Sequence, residues 1–457
     1  MSVPTIKRLL PAALLVLTAC SSGGGASNAA PAVPPVPSPS NPNGVGNYIR
    51  HVVIIVQENR TLENFFAGYP GADAPMYGYA AGKNGRRKIP LRAISFDGPD
   101  LRHDWYASMH DWDNGKMDGF DDFGTKNPHN GPNPAYTCVK HALIEPYWTM
   151  AHQYVLADHM FPTEFGGSFT GHLTLVAGTD DIKLPNEAEV NFPSAAPDDC
   201  DSKPGTKTSY LTPNRHVHYF KGPFPCFDQF NSSAEMLDNA GVSWKIYATK
   251  VLDAGFWEPF EALKYVRYGA DWPTNVVAPQ TKVLSDAGSG NLASVNWVTP
   301  SKADSDHPGY HGSAGPSWVA SVVNAVGESS YWPTSAIIVV WDDWGGFYDN
   351  AAPPQLDYRG LGIRVPCLII SPYAKQGYVS HVQYEYGSIL SFIEEVFNIP
   401  AGSIGPTSKG YTDGRATSLD DAFDFTQKPR SFTPITTQYP MSHFIREPPS
   451  NEPVDTE

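Results

Sequence analysis

Two short apolar runs in the chain each end abruptly in side chains that carry oxygen atoms. The runs are Val52–Val56 and Ala336–Trp341, and both are rich in β-branched residues and too short for a typical helix, which indicates buried strands of a parallel sheet. The residues that follow the two runs include Glu58, Asn59, Asp342 and Asp343. Ligands gather just beyond the carboxyl ends of such strands, so we expect these four side chains to lie together.

Strand and helix patterns alternate along the rest of the chain. The predicted strands are Val242–Tyr247, Ala293–Val298 and Arg364–Ser371, and the predicted helices are Glu145–Met160, Ala234–Ala240, Pro259–Tyr268, Ser317–Val326 and Gly387–Phe397. This alternation favours an α/β fold in which a mostly parallel sheet is sandwiched by helices.

Composition adds long loops to this picture. The 457 residues include 43 prolines and 40 glycines. We assign residues 47–400 to one α/β domain, with an insertion at about 180–230 that covers the site or shapes its specificity. Residues 60–119 are expected to be mostly loop, and residues 401–457 a C-terminal extended segment.

The first 19 residues have the pattern of a signal peptide. Lys7 and Arg8 precede an apolar run that is too short to span a membrane, and this run ends in Leu-Thr-Ala-Cys at 17–20. The ending resembles a bacterial lipobox, which implies that Cys20 is the lipid-modified first residue of an exported cell-envelope lipoprotein. An ordinary cleaved leader with a coincidental cysteine is the alternative. Residues 20–46 are then a disordered, lipidated tether.

Charge and cysteine content narrow the possible partners and the compartment. The formal net charge of −15 disfavours nonspecific nucleic-acid binding, and local positive potential would have to come from a bound metal. Four cysteines follow Cys20, an even number that permits disulfides in an exported protein. Cys200 and Cys226 lie in polar surroundings and are the preferred pair, whereas Cys367 lies in an apolar run and is expected to be a buried free thiol.

Ser168 lies in a glycine-flanked segment, Phe165–His172, that opens a predicted helix. Small neighbours allow close approach of a substrate and the free N–H groups of a helix start bind an anion, so Ser168 is a candidate nucleophile. Taken alone, a turn or N-cap serine is the simpler interpretation. The segment lacks the G-x-S-x-G form of a hydrolase elbow, so activation by a metal explains a nucleophilic serine better than a Ser-His-Asp triad does.

Two histidines are further candidates for catalysis. His110 belongs to the second of two His-Asp-Trp sequences, at 103–105 and 110–112, and His307 lies between an acid and a proline after a predicted strand. Either ring could hold a phosphate or protonate a leaving group. A single loop histidine more often serves packing, which is the alternative for both.

The four strand-end residues and Ser168 together offer only oxygen ligands. Such a set suits a divalent cation, and Ca²⁺, Mg²⁺, Mn²⁺ and Zn²⁺ are all compatible with it. The metal would lower the pKa of Ser168 and neutralise a substrate phosphate, which the carboxylates would otherwise repel. An acidic turn after a strand is common, but two strand endings with metal-type ligands are harder to explain without a metal.

Several segments, in this order, resemble the bacterial phospholipase C and acid phosphatase phosphoesterases, whose core is similar to that of alkaline phosphatase. The resemblance covers most of residues 51–397 and rests on Val56–Thr61, Asp158–Phe161, Gly167–Thr179, Gly241–Tyr247, Ser305–Pro308, Trp341–Asp349, Arg364–Pro366 and Ile370–Pro372. It implies that the strand-end residues bind metal, that Ser168 forms a phospho-enzyme, and that His307 and His110 hold the phosphate or protonate the leaving group. Asn350 and Tyr386 stand where many members have histidine, which argues against a choline-phospholipid specificity.

The sequence therefore predicts an exported, metal-dependent phosphoesterase, acid phosphatase-like, that hydrolyses a phosphate-ester substrate through a metal-activated serine. One alternative is a phosphodiesterase of the phospholipase C type. An alternative of another class is a non-catalytic surface lipoprotein that binds envelope carbohydrate, since 11 tryptophans and 23 tyrosines suit stacking on sugars.

Overall fold

The computed structural model describes residues 44–82, 85–121, 132–182, 187–310 and 312–450, so the predicted signal peptide, Cys20 and most of the predicted tether lie outside the described residues. The strands are β1 (His51–Gln57), β2 (Tyr77–Ala80), β3 (Arg87–Pro90), β4 (Arg92–Ile94), β5 (Thr137–Val139), β6 (Val155–Phe161), β7 (Ala188–Val190), β8 (Ser209–Leu211), β9 (Val217–His218), β10 (Trp244–Tyr247), β11 (Val276–Val277), β12 (Val295–Val298), β13 (Ser335–Trp341), β14 (Val365–Ile370), β15 (Tyr378–Ser380) and β16 (Tyr384–Glu385). The α-helices are α1 (Leu62–Phe66), α2 (Trp105–Trp112), α3 (Glu145–Gln153), α4 (Ser168–Ala177), α5 (Ser233–Ala240), α6 (Lys264–Arg267), α7 (Trp272–Asn275), α8 (Lys282–Ser289), α9 (Gly315–Gly327), α10 (Tyr386–Val396) and α11 (Met441–Arg446).

Nine of the described strands form the central sheet, in the order β11-β10-β12-β1-β13-β14-β6-β15, with β16 also paired to β6. All neighbours are parallel except β14, which is antiparallel to both β13 and β6. The predicted mostly parallel sheet is confirmed, and the strand predicted at Arg364–Ser371 runs opposite to the others. Because the strands on either side of β14 share one direction, the carboxyl ends of β1, β6, β12 and β13 lie at the same end of the sheet.

The two central strands β1 and β13 are buried at every residue. They pair in parallel, from His51 opposite Ser335 to Gln57 opposite Trp341. A strand covered on both faces has a continuous apolar run, without alternation of apolar and polar residues, and this is why both strands are visible in the sequence. Around the sheet, α4 packs against α10, and α3 and α8 each pack against α9.

Three predicted helices are confirmed to within two residues, as α5, α9 and α10. The helix predicted over Glu145–Met160 is wrong in its second half, because α3 ends at Gln153 and β6 follows from Val155. Its apolar residues are compatible with both periods over so short a stretch, and pairing with β14 and β15 decides for a strand. Residues 60–119, predicted as mostly loop, contain α1, α2 and three short strands.

The predicted insertion contains a small antiparallel sheet of β7, β8 and β9. The disulfide between Cys200 and Cys226 is confirmed. Cys367 is a buried free thiol, as predicted, and burial raises its pKa; Cys138 is also free and buried.

The C-terminal segment from residue 401 to 450 has short 3-10 turns and α11, and it lies against the sheet domain. The backbone N–H of Asp424 donates to the carbonyl of Tyr373 at 2.9 Å, and Trp332 Nε1 donates to the carbonyl of Arg430 at 2.8 Å. Among the described helices, none combines the length and the apolar character that crossing a membrane requires.

Candidate active site

The candidate site begins where β1 and β13 end side by side. The ladder continues past both strands, since Asp342 N donates to the carbonyl of Gln57 at 2.9 Å and Arg60 N donates to the carbonyl of Asp343 at 3.1 Å. These bonds hold the two polar strand ends together although they are about 280 residues apart in sequence, as the parallel register requires.

The structure brings together the five oxygen-bearing residues named from the sequence: Glu58, Asn59, Ser168, Asp342 and Asp343. Ser168 Oγ lies 3.1 Å from Asp343 Oδ2 and 3.4 Å from Asn59 Oδ1. The backbone N–H of Asn59 donates to Asp342 Oδ1 at 2.9 Å, and that of Gly345 donates to Asp343 Oδ1 at 2.7 Å. All five side chains are buried.

Ser168 is the first residue of α4, which follows the loop after β6. The first N–H groups of a helix have no partner within it, so the Ser168 side chain stands at the positive end of the helix dipole. Gly171 makes this position possible, because a Cβ there would lie 2.4 Å from the carbonyl oxygen of Asp342. Gly171 therefore lets α4 approach the residues that follow β13 closely.

Asn59 has a left-handed backbone, with φ of 58°. Asparagine tolerates this region better than most residues, and such conformations are concentrated at functional sites. Gly345 packs against it so closely that a Cβ would lie 2.3 Å from the carbonyl oxygen of Asn59.

Two buried histidines, His103 and His307, face the amide of Asn59. Their Nδ1 atoms donate to the backbone carbonyls of Leu101, at 2.6 Å, and Pro308, at 2.7 Å. In a neutral ring the Nε2 atom then carries the lone pair. One terminal atom of the Asn59 amide lies 2.9 Å from His103 Nε2 and 2.8 Å from His307 Nε2.

The side-chain amide of Asn59 can take two orientations in this pocket, and each orientation requires a different protonation of the two histidines. With its nitrogen toward the histidines, it donates to two neutral rings, and its oxygen then faces the Asp342 carboxylate at 3.0 and 3.3 Å. The opposite orientation satisfies Asp342 but requires both rings to be protonated, with centroids only 5.9 Å apart. Two adjacent buried cations are costly. A cation held by Asn59 and the neighbouring carboxylates would remove the conflict, so these residues fit a bound metal.

The raised pKa of Asp343 also indicates that these residues fit a bound cation. Burial, followed by the charge of the adjacent Asp342, raises the pKa of Asp343 to about 8. Two buried carboxylates side by side cannot both ionise cheaply without a cation. An oxygen-rich ligand set suits a hard or borderline divalent ion.

His172 was not identified from the sequence as a member of the site. It lies one turn after Ser168 on α4, and its Nε2 is 2.9 Å from Glu58 Oε1 and 3.8 Å from Asp342 Oδ2. The spacing of four residues on a helix that begins at a candidate nucleophile is a signal that could have revealed it. Ligand atoms of Glu58, His172 and Asp342 lie within 4.8 Å of one another, so His172 is itself a candidate metal ligand as well as a partner that orients Glu58.

Aromatic rings enclose the histidines. Tyr310 stacks on His307 with ring centroids 4.1 Å apart. Trp257 lies 6.4 Å from the ring of His307 and 6.5 Å from that of His172. The loop that carries His307 is further held by Asp306, which accepts from Tyr147 at 2.7 Å and from Trp341 at 3.0 Å.

His110 is not brought into this group, which corrects the expectation from the sequence. It lies near the end of α2, where its ring contacts Tyr106 at 4.7 Å, and it lines a surface pocket. Asp104 caps the start of α2, so His103 lies just outside the helix and His110 lies two turns further on, about 10 Å away. The capping residue Asp104 is the sequence feature that could have shown that the two His-Asp-Trp repeats occupy different positions relative to the helix.

Replacing His103 by glutamine is expected to lower kcat/KM for a phosphate ester about 10- to 100-fold, because the imidazole that faces Asn59 is lost. The matched control is His110→Gln, in the same helix region, which is expected to retain kcat/KM within about twofold. Steady-state kinetics on both variants distinguish the two histidines. A larger loss for His110→Gln than for His103→Gln would overturn the assignment.

A mostly parallel sheet whose strand ends hold a buried serine, an oxygen ligand set and two histidines has the features of an enzyme that hydrolyses phosphate esters. The sequence pattern of the Phosphoesterase family matches residues 49–400, and the chain belongs to that family. It is accordingly a hydrolase acting on phosphate ester bonds, and the non-catalytic alternative is not retained.

Similar proteins include phospholipases. The chain is 26% identical over 445 residues to phospholipase C A of Mycobacterium tuberculosis, covering 84% of this chain and 79% of the relative. It is 24% identical over 436 residues to the non-hemolytic phospholipase C of Pseudomonas aeruginosa, covering 82% and 57%. A solved structure of a protein in the alkaline phosphatase superfamily from Vibrio parahaemolyticus matches with a TM-score of 0.37 and 12% identity, covering 78% of this chain and 69% of that one.

Proposed function

We propose that the protein is a metal-dependent phosphomonoesterase, acid phosphatase-like, in which Ser168 is the nucleophile. The observation that carries the proposal is the position of Ser168 Oγ, buried at the N-terminus of α4 and 3.1 Å from Asp343 Oδ2. The proposed metal ligands are Glu58, Asn59, Ser168, Asp342 and Asp343.

In the proposed reaction, Ser168 Oγ attacks the phosphorus atom in line with the leaving oxygen. The bond from phosphorus to Oγ forms as the bond to the leaving oxygen breaks, and the serine proton passes to Asp343 Oδ2. Water then attacks the phosphorus atom of the phosphoserine and phosphate is released; Ser168 Oγ takes back the proton held by Asp343, and the proton lost by the water returns to the group that protonated the leaving oxygen. When bound, a divalent cation of unspecified identity supplies a lower pKa for Ser168 and neutralises charge on the phosphate oxygens.

His307 and His103 are the proposed partners of the phosphate and the leaving group. Each ring is fixed through Nδ1 by a backbone carbonyl, so its Nε2 is directed into the pocket. When a substrate phosphate brings negative charge into the pocket, one of the two neutral rings can take up a proton; its Nε2 then donates to a phosphate oxygen or gives that proton to the leaving alkoxide, which completes the proton balance of the first step.

The proposed preference for monoesters is supported by the enclosed position of Ser168 and by the side chains that replace histidine at 350 and 386. Ser168, His103 and His307 are 2–3% exposed, so a phosphate group at Ser168 would lie in an enclosed site. Asn350 and Tyr386 are engaged internally, since Asn350 Oδ1 accepts from Arg364 and the Tyr386 hydroxyl donates to backbone carbonyls of the β13 end.

We therefore expect kcat/KM for p-nitrophenyl phosphate to exceed that for p-nitrophenylphosphorylcholine by about 10-fold or more. Both substrates release the same chromophore, so one absorbance assay compares them, and the Ser168→Ala protein measures contaminating phosphatase. The opposite preference would support the second candidate, a phosphodiesterase of the phospholipase C type. That candidate is favoured by the names of the relatives.

Export and anchoring through Cys20 are part of the proposal. They are supported by the leader pattern at residues 1–19 and by the Cys200–Cys226 disulfide, which forms in oxidising compartments. Fractionation of cells that express the full chain and a Cys20→Ala variant would test the anchor.

A further inference from the structure

A second cluster of carboxylates lies at the base of the insertion, apart from the oxygen ligands around Ser168. Asp199 and Asp201 lie on either side of the disulfide residue Cys200. Glu258 directly precedes the 3-10 turn Pro259–Ala262, and Glu261 lies within this turn. The two segments are joined where Cys200 N donates to the carbonyl of Glu261 at 3.2 Å. Ligand atoms of Asp199, Asp201 and Glu261 lie within 4.8 Å of one another. Calcium ligands stand at about 2.3–2.6 Å from the ion, so opposite ligands are about 5 Å apart, and the spacing suits one ion.

Two of these side chains are buried and keep an oxygen atom without a hydrogen-bond partner. Asp199 is 1% exposed and Glu258 is 2% exposed, and the atoms concerned are Asp199 Oδ2 and Glu258 Oε1. The other oxygens are used, because Asp199 Oδ1 accepts from Asp201 N at 2.6 Å and Glu258 Oε2 accepts from Glu261 N at 2.7 Å. A buried carboxylate oxygen without a partner is costly, so each of these side chains has an atom available for a further ligand.

The orientation of the cluster is fixed by the backbone around it. Glu261 Oε1 accepts from Asp253 N at 2.8 Å and Glu261 Oε2 accepts from Ala254 N at 3.1 Å. The guanidinium of Arg267 binds the outer carboxylate Asp201 through both oxygens, at 2.7 and 3.1 Å. The carboxylates are therefore held in place before any ion binds, which lowers the entropy cost of binding.

Charge points to a cation as the missing partner. Burial raises the pKa of Glu258 well above its usual range, and the charge of Glu261 adds to this; burial, followed by the charge of Asp199, raises the pKa of Glu261 to about 8. Four carboxylates against one guanidinium leave the cluster with an excess of negative charge when all are ionised. The atoms are all oxygen, without the histidine or cysteine that structural zinc sites use, and the irregular arrangement suits calcium better than the strict octahedron of magnesium.

We propose that Asp199, Asp201, Glu258 and Glu261 bind one Ca²⁺ ion that fixes the insertion beside the active site. The turn that carries Glu261 packs against α4, the helix that begins with Ser168. Trp257 precedes Glu258 in the chain and reaches the rings of His172 and His307. The ion thus holds the segment that positions Trp257, and it acts on the site through this contact.

The test uses the full chain with Asp342→Asn, which weakens cation binding in the active site and isolates the second cluster. The protein is freed of metal with a chelator and titrated with CaCl₂ alone, by calorimetry and by thermal unfolding. We expect one Ca²⁺ per chain and a rise in Tm of about 3 °C at 100 times the Kd. Absence of both signals would overturn the proposal, because a cluster of carboxylic acids that share protons needs no ion.

Isosteric variants test whether the Ca²⁺ binds to the four proposed carboxylates. Asp199→Asn and Glu258→Gln, each added to Asp342→Asn, keep an oxygen that accepts the existing N–H bond, and each is expected to weaken Ca²⁺ binding by about 10-fold or more. The matched control is Asp228→Asn, an exposed residue of the same insertion that pairs with Lys264, and binding should be unchanged. If both isosteric variants bind Ca²⁺ as tightly as the control, the ion lies elsewhere and the assignment fails. Two independent variants keep the test decisive if one of them does not fold.

Discussion

Alanine in place of Ser168 is expected to lower kcat/KM for p-nitrophenyl phosphate by roughly 10³-fold or more, while the protein stays folded. The hydroxyl is the only part of Ser168 that the substitution removes, and α4 begins normally with alanine because Gly167 supplies no side-chain cap. The four other oxygen ligands remain, so metal content measured by elemental analysis is expected to persist. In the wild-type protein, quenching during turnover should reveal a phosphorylated peptide that contains Ser168.

The matched control for this prediction is Ser233→Ala. Ser233 is also a buried serine at the first position of a helix, α5, and it is remote in sequence from the candidate ligands. Its replacement is expected to leave kcat/KM within about twofold of wild type. Near-normal activity of the Ser168→Ala protein, with contaminating phosphatase excluded, would remove the nucleophile assignment.

Asparagine in place of Asp343 is expected to abolish metal-dependent activity and, at the same time, to stabilise the metal-free protein. The carboxylate is buried beside Asp342, and its pKa is raised to about 8 by burial and by that neighbour. An asparagine keeps an oxygen for the N–H of Gly345 and places an amide nitrogen where Asp343 Oδ2 meets Ser168. The variant thus keeps the hydrogen bonds and removes the like-charge repulsion.

The stabilisation of the metal-free protein by Asp343→Asn is expected to increase as the pH rises. Below the pKa of Asp343 in the unfolded chain, about 4, the side chain is neutral in both states and the variant gains nothing. Between there and about 8 the folded protein retains a proton that the unfolded chain has lost, so the wild-type, metal-free protein loses stability as pH rises. The gain in Tm from Asp343→Asn should therefore grow from pH 4 to pH 8 and level off above.

Asp357→Asn is the contrasting control, because the same chemical change is expected to have the opposite sign. Asp357 Oδ2 lies 2.8 Å from Arg359 Nη2 and 2.7 Å from Arg415 Nη1, and these partners hold the pKa of Asp357 below its usual range against the effect of burial. Its loss should lower Tm at neutral pH. Thermal unfolding in the presence of a chelator checks both variants. A fall in Tm for Asp343→Asn would mean that repulsion between the Asp342 and Asp343 carboxylates does not destabilise the metal-free protein.

Part of this fold could be predicted because local sequence and tertiary environment agree. Strands β1 and β13 are buried on both faces, so their residues are apolar without interruption and their ends are sharp. The polar residues after each strand then follow from the geometry of a parallel sheet, in which carboxyl ends meet. The position of Ser168 beside these residues agrees with the glycine-rich segment around it, since Gly171 lets α4 approach the residues that follow β13.

Other features depend on contacts that no local pattern encodes. The stretch Val155–Phe161 becomes a strand because β14 and β15 lie beside it, and the reversed direction of β14 is set by its two neighbours. His103 and His110 belong to the same short motif, yet only His103 reaches Asn59, because the start of α2 falls between them.

The sequence by itself determined the central strands β1 and β13, the disulfide partners, the candidate nucleophile and the candidate oxygen ligands at the two strand ends. The tertiary structure alone decided which histidines join them, that His172 contacts Glu58, and that Asp199 and Asp201 of the insertion meet Glu261. The physical reason is the range of the interaction. Apolar runs, caps and glycine turns act within a few residues, whereas a site is assembled by long-range packing between segments whose separation in sequence carries no signal.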